Sequence, residues 1–152
     1  MNALLEEFLI EGRDLIGEAT LDLLALERTP DDGTLITGVF RAFHTLKGSS
    51  GVFGIQPLTR MLHAAEDTLV AVRDGRAVID APLTDALLEC LDQTARWLDD
   101  LEALGTLPDD AENTASGLID RLRRDGKTSG GTVPQTAESL DVFSEAERLG
   151  AL

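Results

Sequence analysis

Apolar side chains recur every three to four positions through five stretches of the chain, each bounded by a start or stop signal. The first, about 3–28, repeats Leu5, Phe8, Leu15, Ile16, Ala19, Leu23 and Leu26, and runs into TPDDG, where Pro30 and Gly33 predict its end. The second, about 32–53, carries Ile36, Val39, Phe40, Phe43, Leu46 and Phe53 and breaks at Gly54. The third, about 56–74, has Pro57 in its first turn, where a missing N–H costs little. It continues through Leu58, Met61, Leu62, Ala65, Leu69 and Val72 to a stop at Gly75. The fourth, about 81–104, follows Asp80 as N-cap and Pro82, with Leu83, Leu87, Leu91, Leu98 and Leu101 ahead of Gly105. The fifth, about 109–124, is weaker: Ala111, Ala115, Leu118, Ile119 and Leu122. It closes on Arg121, Arg123 and Arg124, which suit the negative end of a helix dipole.

Five helices joined by short connections predict an all-α protein, an antiparallel up-down bundle with a four-helix core and a fifth helix alongside. The bundle occupies residues 1–125. Residues 126–137, beginning GKTSGGTVPQT, have the composition of a flexible linker. Residues 138–152 place Leu140, Phe143, Ala146 and Leu149 at helical spacing. A helix that short is marginal alone. Docking on the bundle, binding a partner, or opening a further unit all fit it.

The net charge of −15 argues against nucleic acid or an anionic membrane as a main partner, though simple solubility accounts for it equally well. The single cysteine, Cys90, excludes an internal disulfide and lies among leucines, where it reads as a small core residue. The N-terminus carries carboxylates from Glu6 onwards, unlike a secretory signal. No apolar run approaches the ~20 residues that span a bilayer, so the expected location is the cytoplasm.

One stretch of the second helix resists explanation as ordinary helix: HTLKGSSG, residues 44–51. On a helical wheel His44 lies roughly 120° from the centre of the apolar stripe, at Val39, Phe40 and Phe43. Lys47 stands beside it at i+3, and Gly48 and Gly51 share nearly its strip. A helical glycine costs up to ~1 kcal/mol relative to alanine. Either another protein approaches this imidazole closely, or the glycines face a neighbouring helix. Residues 33–65 contain no carboxylate, whereas 28 acids in 152 residues would place about six there by even spread. The same stretch holds Arg41, Lys47 and Arg60. Such clearing suits a site that holds a phosphoryl group, and equally a buried helix.

On the third helix His63 and Glu66 form a second pair, with Glu66 at the edge of its stripe. If the two helices meet there, the carboxylate fixes the tautomer of His44 and leaves its other ring nitrogen as a nucleophile. Lys47 would then stabilise the phosphate as a point charge. Taken singly, Glu66 reads equally as a solvated helix carboxylate, and Lys47 reads more readily as a solvated side chain than as a site residue.

FRAFHTLKGSSGVFG followed by LTRMLHAAEDTLVAVRDGR resembles the histidine phosphotransfer (HPt) domain, most closely that at the N-terminus of chemotaxis-type histidine kinases. The likeness covers roughly residues 4–124. It implies a helical bundle with His44 as phospho-acceptor, Lys47 stabilising the phosphate, and Glu66 hydrogen-bonding the histidine. Gly48 begins the small-residue face; Gly51, His63 and Arg41 are supporting positions. Ser49 stands where many chemotaxis members have glycine or alanine.

The chain has no glycine-rich ATP lid and no P-loop pattern, so it is expected to be a phosphocarrier rather than an ATP-using enzyme, either free-standing or the front piece of a longer kinase. The implied partners are a kinase ATP-binding domain and a response-regulator receiver domain, with a monomeric bundle. The domain is expected to bind no cofactor or metal of its own, ATP and Mg²⁺ coming with its partners. Two other readings compete. A di-iron-type bundle fits poorly, because His63-x-x-Glu66 runs in the opposite order to Glu-x-x-His. An acidic scaffold without chemistry leaves the glycines and the cleared carboxylates unexplained.

Overall fold

A computed structural model describes residues 2–126, so the expected linker from 127 onwards and the amphipathic tail lie outside the described residues. Five helices follow in order: α1 (Ala3–Leu26), α2 (Gly33–Val52), α3 (Gln56–Arg73), α4 (Ala81–Leu104) and α5 (Ala111–Asp125). Three begin on a side-chain cap that satisfies otherwise orphaned amides. Asn2 accepts from the Leu5 amide at 2.7 Å, Asp32 from Thr34 at 2.9 Å, and Asp80 from Leu83 at 3.1 Å. Gly105 ends α4 at φ 76°, a left-handed conformation that glycine adopts without Cβ strain.

Two expected boundaries differ. The first helix stops at Leu26, short of the expected 28, because Thr29 precedes Pro30 and that position disfavours helical backbone. Gly33 then opens α2 behind the Asp32 cap instead of closing α1. The fifth helix starts at Ala111, its amide turned back onto the Pro108 carbonyl at 3.1 Å, so the expected start at 109 is a tight turn.

Helices α1, α2, α3 and α4 close an antiparallel ring, and α5 packs along α3 and α4. The stripes meet in one core around Leu23, Phe43, Leu62, Leu87 and Trp97, all essentially inaccessible. Gly12 marks a tight crossing: a Cβ there would meet Leu98 at 3.1 Å and Leu46 at 3.5 Å. Cys90 is buried in this core, which pushes its thiol up to about 12. Exposed ion pairs brace the outside: Arg13 with Asp99 and Glu102 (2.8 Å each), Arg60 with Glu112 (2.5 Å) and Arg121 with Glu89 (2.6 Å). Pairs of this kind contribute little each, so burial of the stripes holds the fold. None of the described helices is long and apolar enough to cross a membrane.

Candidate functional site

The antiparallel pairing of α2 and α3 buries Phe43 and Leu46 on one helix and Leu62, Ala65 and Leu69 on the other. Closing that seam sets the next position outward on each helix, His44 and Glu66, against each other. The Glu66 side chain is only 7% exposed, while that of His44 is 63% exposed. Glu66 is therefore no solvated helix carboxylate. Its Oε2 contacts Nδ1 of His44, and its Oε1 lies 2.6 Å from Nζ of Lys47.

These contacts decide the chemistry of the imidazole. An ionised carboxylate only accepts, so Nδ1 carries the hydrogen and donates it to Glu66. The lone pair then resides on Nε2, which has no hydrogen-bond partner among the described residues. The second Glu66 oxygen holds Lys47 in place, one turn from His44 on the same helix. One buried carboxylate thus contacts both the imidazole and the ammonium beside it.

The two glycines resolve the choice left open by the wheel. A Cβ added at Gly48 or at Gly51 meets nothing within 4 Å, so neither faces a neighbouring helix. The surface beside His44 is bare and open. Inward of it, Ser50 is fully buried and ties α2 to α3: its hydroxyl donates to the Lys47 carbonyl at 2.9 Å and lies 2.7 Å from Oγ1 of Thr59.

The other sequence candidates are more loosely placed. His63 is exposed and lies 3.6 Å from Asp67, outside the His44–Glu66 pair. Arg41 is exposed, with no hydrogen bond or ion pair among the described residues. Arg60 turns away to Glu112 and Ser116 on α5. Among the described residues no three metal-ligating side chains cluster.

Two residues at the site went unrecognised in the sequence. Phe40, which the wheel puts at the centre of the core stripe, is only half-buried. Its ring stacks on that of His44, with centroids 6.0 Å apart and planes at 14°. Arg73 lies over Phe40, its guanidinium carbon 4.5 Å from the ring centroid. The i, i+4 spacing of Phe40 and His44 was the available signal; for Arg73, on another helix, there was none.

A cleft of about 380 Å³ lies elsewhere, lined by Leu5, Phe53, Ile55, Leu101, Leu107 and Glu112 among others, and contains none of these residues.

Comparison with known proteins gives the family and the fold. The family model of the Hpt domain matches residues 3–97. Chemotaxis protein CheA of Treponema pallidum is 32% identical over 141 residues, which is 93% of this chain and 17% of that protein. CheA of Bacillus subtilis is 37% identical over 92 residues, 60% of this chain and 14% of that protein. The chain thus spans about a fifth of the length of the curated relatives it matches. Among solved structures, the histidine phosphotransfer domain of CheA in solution aligns with TM-score 0.76 and 28% identity, covering 89% of this chain and 99% of that one. The phosphorylated P1 domain of CheA3 in complex with CheY6 from R. sphaeroides aligns at 0.74 with 26% identity, covering 83% and 97%.

Proposed function

Because the chain belongs to the Hpt domain family, we propose that His44 is its phospho-acceptor and that it carries a phosphoryl group from a histidine kinase to a response regulator. The observation that carries this reading is the buried Glu66 on Nδ1 of His44, with Nε2 unpartnered beside two bare glycines.

In the first half-reaction the Nε2 lone pair forms a bond to the γ-phosphorus of ATP, held by a kinase ATP-binding domain. The P–O bond to the β-phosphate breaks and ADP leaves with its electrons. The imidazole, still protonated at Nδ1, becomes positively charged as the N–P bond forms. Glu66 opposes that charge from hydrogen-bond distance, a stabilisation absent while the ring is neutral, so it favours the transition state over the ground state. Lys47 stands ready to meet the phosphoryl oxygens. In the second half-reaction an aspartate of a receiver domain attacks phosphorus and the N–P bond breaks, returning the lone pair to Nε2.

Neither step asks this domain to bind a cofactor. ATP and Mg²⁺ enter with the partner domains, and the chain contributes geometry and charge, which phosphoryl transfer mainly requires. It acts as a carrier, monomeric and cytoplasmic, not as the kinase itself. The R. sphaeroides structure, a phosphorylated P1 domain with CheY6, supports a receiver as recipient. Incubation with a chemotaxis-type kinase core and ATP should label the wild type and leave His44→Gln unlabelled with unchanged helical circular dichroism. Equal labelling of both proteins would remove His44 from the reaction.

A further inference from the structure

Lys47 and Glu66 neutralise each other across 2.6 Å, so the pair brings no net charge to an incoming phosphoryl group. Another cation stands at the site without a carboxylate of its own. Arg73, in the last turn of α3, makes no ion pair among the described residues, and the adjacent Asp74 is turned to Arg76 at 3.3 Å. Its guanidinium rests over Phe40, whose ring stacks on His44. The sequence makes this arrangement. Phe40 lies one turn before His44 on α2, and Arg73 lies two turns after Glu66 on α3, on the stripe that faces α2. Arg41, the other cation near His44 in sequence, has no aromatic shelf to fix it.

We propose that Arg73, held on Phe40, is a positioning residue for phosphoryl transfer at His44: it supplies the net positive charge that draws the donor to Nε2 and opposes the charge of the phosphohistidine. The inference rests on His44 being the acceptor. An arginine over an aromatic face is attracted by the ring and confined by it, so its charge stays beside the site. Phe40 spaces guanidinium and imidazole, its centroid 4.5 Å from the first and 6.0 Å from the second, a span that charge crosses within the ~30 Å screening length at low salt and only weakly at physiological salt.

The test uses the full chain and phosphoramidate, a small donor that needs no partner protein. In its zwitterion the amine is already protonated, so Nε2 forms the N–P bond as the donor P–N bond breaks and neutral ammonia leaves with the bonding pair. The phosphorylation rate is read by intact mass at low and high salt for wild type, Arg73→Gln, Arg73→Lys and Phe40→Leu, with His44→Gln as blank. Arg73→Gln is expected to be slower by about three- to tenfold at low salt, with the difference shrinking at high salt. Arg73→Lys should recover part of the rate, because the charge returns with a looser hold on the ring. Phe40→Leu should resemble Arg73→Gln, since the shelf is lost while the cation remains. Arg73 is exposed, so its variants should melt with the wild type. A wild-type rate in Arg73→Gln would overturn the proposal, as would Arg73→Lys as slow as Arg73→Gln at equal melting temperature. Failure of the wild type itself to take a phosphoryl group on His44 would overturn the underlying reading instead.

Discussion

Glu66 has two acceptor oxygens and serves two donors, Nδ1 of His44 and Nζ of Lys47. Glutamine has the same shape but one acceptor and one donor group. In Glu66→Gln the amide cannot satisfy both partners whichever way it turns. If its oxygen faces His44, its NH₂ abuts the Lys47 ammonium, donor against donor. If its oxygen faces the ammonium, the stronger demand, its NH₂ points at Nδ1. The imidazole must then accept at Nδ1 and carry its hydrogen on Nε2, which blocks the nucleophile. Either way at least one charge-assisted hydrogen bond is lost, about 1.5–3 kcal/mol each. The side chain is only 7% exposed, so water replaces little of it. At 1.36 kcal/mol per tenfold, phosphorylation should slow by about 10- to 150-fold. Phosphoramidate labelling followed by intact mass gives the rate, and nitrogen-resolved NMR of the His44 ring gives the tautomer. A Glu66→Gln protein that labels at the wild-type rate, with hydrogen still on Nδ1, would refute the reasoning.

The open face beside His44 gives a prediction of opposite sign for stability and transfer. Gly51→Leu should stabilise the helix by up to about 1 kcal/mol, since a Cβ there meets nothing, and should raise the melting temperature. It should leave phosphoramidate labelling unchanged yet slow discharge to a receiver by about tenfold or more, because the partner can no longer close on the imidazole. Cys90 gives a pH signature. Its thiol is held near 12 when folded against 9.0 ordinarily, so the folded state keeps the proton that the unfolded state releases. The contribution is fully present below pH 9.0 and falls by about 1.4 kcal/mol per pH unit above it until the folded value is reached. Urea melts of wild type and Cys90→Ala should therefore differ increasingly to the wild type's disadvantage between pH 9 and 11. Parallel curves would mean that the thiol is not buried as described.

The helices were readable because each apolar stripe keeps a 3.6-residue period between caps, and because connections this short leave neighbouring helices little choice but to run antiparallel. Wheel positions also told which edge His44 occupies. The wheel could not say what stands opposite an edge. That Glu66 is buried and bridges both His44 and Lys47 depends on the register of α2 against α3, which long-range packing sets. Likewise Gly48 and Gly51 had two readings until their outward direction was known. Phe40 was misplaced for a related reason: apolarity marks a residue as wanting burial, and a ring stacked on an exposed imidazole satisfies that need only half-way. Arg73 was invisible because a cation over a ring leaves no local pattern.

The most direct measurement locates the phosphoryl group. After labelling of the full chain by phosphoramidate, phosphorus–nitrogen NMR correlation of the single product should place phosphorus on Nε2 of His44. Addition of a chemotaxis receiver domain with Mg²⁺ should then discharge it. Phosphorus on any other side chain, or on Nδ1 of His44, where Glu66 now accepts, would contradict the account.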